Sequence, residues 1–111
     1  MIYKILTRDE WSAAQDLGEF IGSEVDRRDG FIHFSAAAQL HDTARLHFSG
    51  VQGLVVLEVR EEELGDSLRW EPSRGGILFP HVYGPLAVEQ VIEVYDAPLD
   101  EAGTPQLRFL D

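Results

Sequence analysis

Cysteine is absent from the 111-residue chain, which removes disulfides, thiol nucleophiles and thiolate zinc sites together. Lysine is nearly absent too: Lys4 is the single one, against eight arginines. No apolar run approaches the ~20 residues of a membrane-spanning helix. The first eleven residues, Met1 to Trp11, lack the basic-then-apolar order of a secretory signal. Positive charge is scarce overall. Nine Lys and Arg against twenty Asp and Glu leave a formal charge of −11. Such a surface repels phosphate backbones and anionic lipid, so large nucleic acids and membrane surfaces are poor partners. A cytoplasmic location is expected.

What remains is enough for one folded domain. Hydrophobic residues make up 44% of the chain, which supports a core without cross-links and argues against disorder. No repeat, low-complexity tract or linker divides the sequence, so residues 1–111 read as one domain. Met1–Leu6 reads as a strand. Thr7 to Glu10 forms a capping box, opening a helix with Trp11, Ala14 and Leu17 on one face and Gly18 at its end. Asp26–Gly30 reads as turn chemistry and Phe31–Ser35 as a compact strand. Ser35 is placed to cap a helix over about Ala36–Phe48, with Leu40, Ala44, His47 and Phe48 sharing a face. Leu54–Val59 is a strand, Glu61–Leu64 one helical turn, and Leu68–Glu71 a further strand. Pro72–Gly76 is a loop and Ile77–Tyr83 an extended segment interrupted by Pro80. Val88–Tyr95 reads as a strand and Gln106–Leu110 as an edge strand. Several strands with two or three helices at one side indicate an α+β fold.

Two stretches hold residues suited to chemistry. His33 alternates against Ile32 and Phe34, which puts it on the side of Phe31 and Ser35. It is either a hydrogen-bonded structural histidine or, with the Ser35 hydroxyl and free helix N–H groups beside it, part of an anion or ribose-phosphate site. The second stretch runs from Ser67 to Val88. Arg69 and Arg74 against Glu71 give it a local charge of +1, while the other 89 residues carry −12. It also holds Trp70, Phe79 and Tyr83 as stacking faces, and Gly75-Gly76, where backbone can approach a ligand closely. The plain alternative is a surface loop whose aromatics fill the core. The eight arginines admit two readings as well: base composition of the genome, or selection for planar forks that grip carboxylate and phosphate.

Other chemistries are less well supported. His33, His47, His81 and Glu71 are acceptable metal-ligand types, but no pair has a diagnostic spacing, and no metal is expected. Ser35 and Ser73 lack a nucleophile elbow. Glu61–Glu63 reads as a solvated helix start.

Three segments together resemble a known bacterial family: Asp29–Ser35, then His47-Phe48, then Arg69–Gly76 with Phe79–Leu86. The family is domain of unknown function 952, and the resemblance spans nearly the whole chain. It implies a fold similar to the ADP-ribosylation superfamily, a split and mainly antiparallel sheet with helices at its side. In those enzymes a strand histidine holds a ribose hydroxyl of NAD, a Ser or Thr follows, and an aromatic ring stacks on nicotinamide. By that resemblance His33 and Ser35 contact the nucleotide, with Tyr83 or Trp70 stacking and Arg69 and Arg74 holding phosphate. For the carboxylate that polarises the ribose, Glu71 and Glu89 are the candidates, although neither stands in the usual transferase motif. Glu71, stabilising charge on the ribose, and His81, a polar neighbour of Tyr83, are taken as the catalytic residues. The expected function is binding of NAD, ADP-ribose or a related nucleotide, with ADP-ribosyl transfer or NAD-glycohydrolase-type chemistry implied. The alternatives are a metal-dependent enzyme using the histidines and a non-catalytic partner-binding domain.

Overall fold

Alternation of small and branched apolar residues builds the centre of the molecule. The computed structural model describes residues 1–110. In it β1 (Ile2–Thr7) and β5 (Leu54–Val59) pair antiparallel along six residues each, from Ile2 opposite Val59 to Thr7 opposite Leu54. The short β4 (Ser35–Ala36) and β9 (Val91–Asp96) flank them, giving a four-stranded sheet in the order β4-β1-β5-β9. Both faces of this sheet are covered. Helix α1 (Arg8–Leu17) packs Trp11 and Ala14 against Ile2, Leu6, Val55 and Leu57. Helix α3 (Ala37–His47) packs Leu40 and Ala44 against Tyr3, Ile5, Leu54 and Val56. The near-continuous apolar run of β5 follows from this, since a strand buried on both faces has no polar side.

A second sheet stands beside the first. Its order is β3-β7-β6, with β3 spanning Ile32–His33, β7 Leu78–Val82 and β6 Leu68–Pro72. A two-stranded ladder joins β2 (Glu19–Phe20) to β8 (Leu86–Ala87). Every pairing between named strands is antiparallel. With three α-helices among the described residues, the fold is α+β with mainly antiparallel sheets.

Pro80 lies in the central strand of the second sheet, where a missing N–H is costly. Its carbonyl accepts from the Phe34 amide at 3.0 Å. The edge of Pro80 without a donor therefore faces the point where the chain leaves β3 for β4.

Several local expectations are corrected. Asp26–Gly30 is not a turn but most of a helix, α2 (Glu24–Asp29); the Asp26 carboxylate accepts from the Ser23 amide at 2.9 Å and Gly30 closes the helix in the left-handed region. Phe31–Ser35 is split between two sheets. Ser35 does not cap α3: it pairs with Tyr3 in β4, and Ala36 takes the cap position, its amide bound by Gln39 Oε1 at 2.9 Å. Leu17 is exposed, because α1 buries only the stripe through Trp11 and Ala14. Val88–Gln90 is a 3-10 turn that precedes β9. Gln106–Leu110 is not an edge strand either. It ends in a turn over Arg108–Leu110, with Leu107 and Phe109 laid on the α3 side of the first sheet.

Candidate functional site

The second sheet divides its two faces between packing and polar chemistry. Ile32, Val82 and Leu68 turn toward the core that α1 covers. By the period of two, Phe31, His33, Arg69, Glu71, Phe79, His81 and Tyr83 share the other face. His33 stands directly opposite His81, and His81 directly opposite Arg69. This face, helix α2, part of β1 and the inner side of α3 enclose a cleft of about 650 Å³. His33, Ser35, Arg74 and His81 all line it.

His33 is held from beneath by a buried ion pair. Lys4 is 5% exposed and Asp26 2%, and Lys4 Nζ lies 2.8 Å from Asp26 Oδ2. Asp26 Oδ1 accepts from the His33 amide at 3.1 Å and meets His33 Nδ1 at 2.6 Å. Burial opposes the Asp26 charge, but bonds from His33 and Lys4, the Lys4 charge and the Ser23 amide hold its carboxyl well below the ordinary range. An ionised carboxylate only accepts, so Nδ1 is the donor of this bond. Nε2 of the same ring lies 3.0 Å from Asp29 Oδ2 at the cleft rim. Asp29 is itself shifted down, first by its bond to Arg28.

His81 is oriented in parallel fashion. Its Nδ1 lies 2.7 Å from Glu71 Oε1, which also accepts from the Tyr83 hydroxyl at 2.7 Å. The Tyr83 bond, followed by that of His81, shifts Glu71 downward. Phe31 stacks on the His81 ring with centres 4.0 Å apart, and the His33 and His81 centres are 5.8 Å apart. Arg74 donates to Thr43 Oγ1 at 2.8 Å and lies 4.6 Å over the Phe79 ring. Thr43 Oγ1 is also 3.0 Å from Ser35 Oγ. His47, from α3, joins the wall; burial, then Arg74 and His33, pull its pKa down.

Of the residues singled out from sequence, His33, Ser35, Arg74 and His81 meet in the cleft. Arg69, Glu71 and Tyr83 form a row behind His81 rather than the cleft wall, with the Arg69 guanidinium 5.1 Å over the Tyr83 ring. Glu71 Oε1 thus faces His81 and Tyr83 rather than the cleft. Trp70 is not a cleft residue: it alternates to the opposite face, pairs with Pro80 and is 40% exposed. Phe31 packs on the His81 ring and is not part of the cleft wall either. Among the described residues, no group of three or more His, Cys, Asp or Glu is gathered to hold a metal ion. Among these residues, too, no helix is long and apolar enough to cross a membrane.

Lys4, Asp26, Asp29 and Thr43 were not singled out. Lys4 did carry a signal, since the only lysine stands between Tyr3 and Ile5 in an apolar strand. A buried ammonium requires a carboxylate partner. Nothing in the sequence identified which carboxylate.

These features define a small α+β domain with a histidine-lined polar cleft. The chain belongs to the family described as Protein of unknown function (DUF952), whose model matches residues 5–94. It is similar to protein CC0527 from Caulobacter crescentus. The crystal structure of that protein is 53% identical, spans 98% of this chain and 96% of its own, and superposes with a TM-score of 0.95. Its solution NMR structure is 54% identical, spans 96% and 91%, and gives 0.87. No curated protein matches the chain.

Proposed function

We propose that the cleft binds a nucleotide of the NAD or ADP-ribose class, as the resemblance to the ADP-ribosylation superfamily implies. The observation that carries this reading is the convergence of His33, Ser35, Arg74 and His81 on one concavity of about 650 Å³. That volume falls within the range of small-molecule sites. In an otherwise acidic chain, the Arg74 fork supplies a guanidinium for phosphate. The His33 ring, fixed by Asp26, is set to hold a ribose hydroxyl once Asp29 yields its place. Phe79, under the Arg74 guanidinium, adds an aromatic wall beside these polar groups.

Glu71 Oε1 is engaged by His81 and Tyr83, so the reading is one of binding rather than of ribosyl transfer. Calorimetric titration with ADP-ribose tests it directly. Arg74→Ala is expected to weaken binding by about 1.5–3 kcal/mol, the worth of hydrogen bonds to a charged group. Absence of any heat of binding with ADP-ribose and NAD overturns the reading.

A further inference from the structure

The two histidines of the cleft form a matched but unequal pair. They face each other across neighbouring antiparallel strands, and each has a carboxylate on Nδ1: Asp26 at 2.6 Å from His33, Glu71 at 2.7 Å from His81. The inequality lies at the other nitrogen. His33 Nε2 meets a second carboxylate, Asp29, at 3.0 Å. His81 Nε2 has no hydrogen-bond partner among the described residues, and its ring, only 5% exposed, reaches solvent through the cleft it lines. Acceptors on both sides of His33 arrange it as a proton donor, whereas one acceptor and an open nitrogen arrange His81 as a proton acceptor. A donor and an acceptor in one site, in different surroundings, are the two halves of general acid–base catalysis.

We propose that this pair hydrolyses the ring phosphodiester of a small ribonucleotide, with a nucleoside 2′,3′-cyclic phosphate as the substrate class. The proposal rests on the nucleotide-binding reading of the same cleft. Arg74, held by Thr43 and lying over Phe79, binds the phosphate oxygens. The ring centres of His33 and His81, 5.8 Å apart, put both imidazoles within reach of one phosphate group. A charge of −11 disfavours long polyanions, and the cleft volume suits a single nucleotide. Strain in the five-membered phosphate ring supplies part of the driving force.

Water is the only co-reactant. His81 Nε2 takes a proton from water as its oxygen forms the new bond to phosphorus. The bond from phosphorus to one ribose oxygen breaks, and His33 Nε2, turned from Asp29 to the substrate as the nucleotide displaces that carboxylate, delivers its proton to that oxygen. The product is a phosphate monoester, nothing is oxidised or reduced, and solvent restores both rings. Glu71 and Asp26 are positioning residues here, since each acts through its histidine.

The test incubates the full chain with 2′,3′-cyclic AMP and follows monoester formation by phosphorus NMR. Turnover with a bell-shaped pH profile is expected. His33→Gln and His81→Gln should each lower kcat by ~100-fold or more, the usual worth of a general acid or base. Melting curves establish that the variants are folded. Should His81→Gln fail to fold, His33→Gln carries the test, because the His33 side chain is 35% exposed at the rim. Glu71→Gln should lower kcat, leave KM near its original value and move the acidic limb of the profile, which a merely structural role would not do. No monoester from the unsubstituted protein overturns the proposal, as does monoester formation that survives the histidine substitutions. Calorimetry with ADP-ribose on the same sample separates the two readings. Binding without hydrolysis overturns this proposal alone, and absence of both overturns both.

Discussion

The two larger sheets of this protein use the same antiparallel pairing for opposite ends. In the four-stranded sheet, Leu54, Val55, Val56, Leu57 and Val59 of β5 are buried on one face or the other. The only interruption is Glu58, whose carboxylate accepts from the hydroxyls of Tyr3 and Tyr95 at 3.0 and 2.9 Å. In the three-stranded sheet, one face packs Ile32 and Val82 into the core while the other presents His33, His81 and Glu71 to one another. The first sheet is therefore packed on both faces, and the second on one, with its polar groups on the other. Their junction is the Lys4–Asp26 pair, in which a charge rooted in the first sheet anchors a histidine of the second.

That junction is where the comparison is most easily broken. Asp26→Asn leaves the Lys4 ammonium buried without its counter-charge, and removing one partner of a buried pair costs roughly 3–5 kcal/mol. Urea denaturation should show a loss of that order. A loss below about 1 kcal/mol would mean that Lys4 finds water on its own and that the two sheets are not joined through this pair.

The division of labour predicts a contrast between two large apolar residues. Leu57, fully buried in β5, should cost roughly 2–5 kcal/mol on truncation to alanine. Trp70, on the edge strand β6 and 40% exposed, should cost much less, about 1 kcal/mol. Paired denaturation curves check this. Equal losses would show that the second sheet is as much a packing unit as the first.

A smaller effect concerns acid. The Asp26 carboxyl is depressed in the folded state, so its contribution is present above the unfolded value of ~3.9 and is lost as pH falls below it toward the folded value. Melting temperature measured from pH 6 downward should fall more steeply below about pH 4 in the native protein than in Asp26→Asn. Parallel curves would assign the acid sensitivity to other carboxylates.

Much of the first sheet was legible in the sequence because its signals are local. Thr7 and Glu10 form the expected capping box, with the Glu10 amide 3.1 Å from Thr7 Oγ1 and the Thr7 amide 2.9 Å from Glu10 Oε1. Leu54–Val59 is a strand with the expected bounds. Helix α2 was misread, since Asp26, Asp29 and Gly30 favour turns and helix caps alike; the choice depended on Asp26 being drawn inward by Lys4. Trp70, expected as a stacking residue, lies outside the cleft for a related reason. A period of two states which residues share a face, but not which face looks into a cleft.

Alternation over Phe31–Ser35 put His33 on the side of Ser35, and charge contrast singled out Arg74 in an acidic chain; all three line the cleft. Residue type and spacing were enough for both. What each ring nitrogen meets was decided elsewhere. The register that sets His33 opposite His81, 48 residues away, belongs to strand pairing. The carboxylates that hold the two rings come from α2 and β6. Proton donors and acceptors are distinguished over distances of about 3 Å, and only the packed chain brings groups so far apart in sequence to that separation.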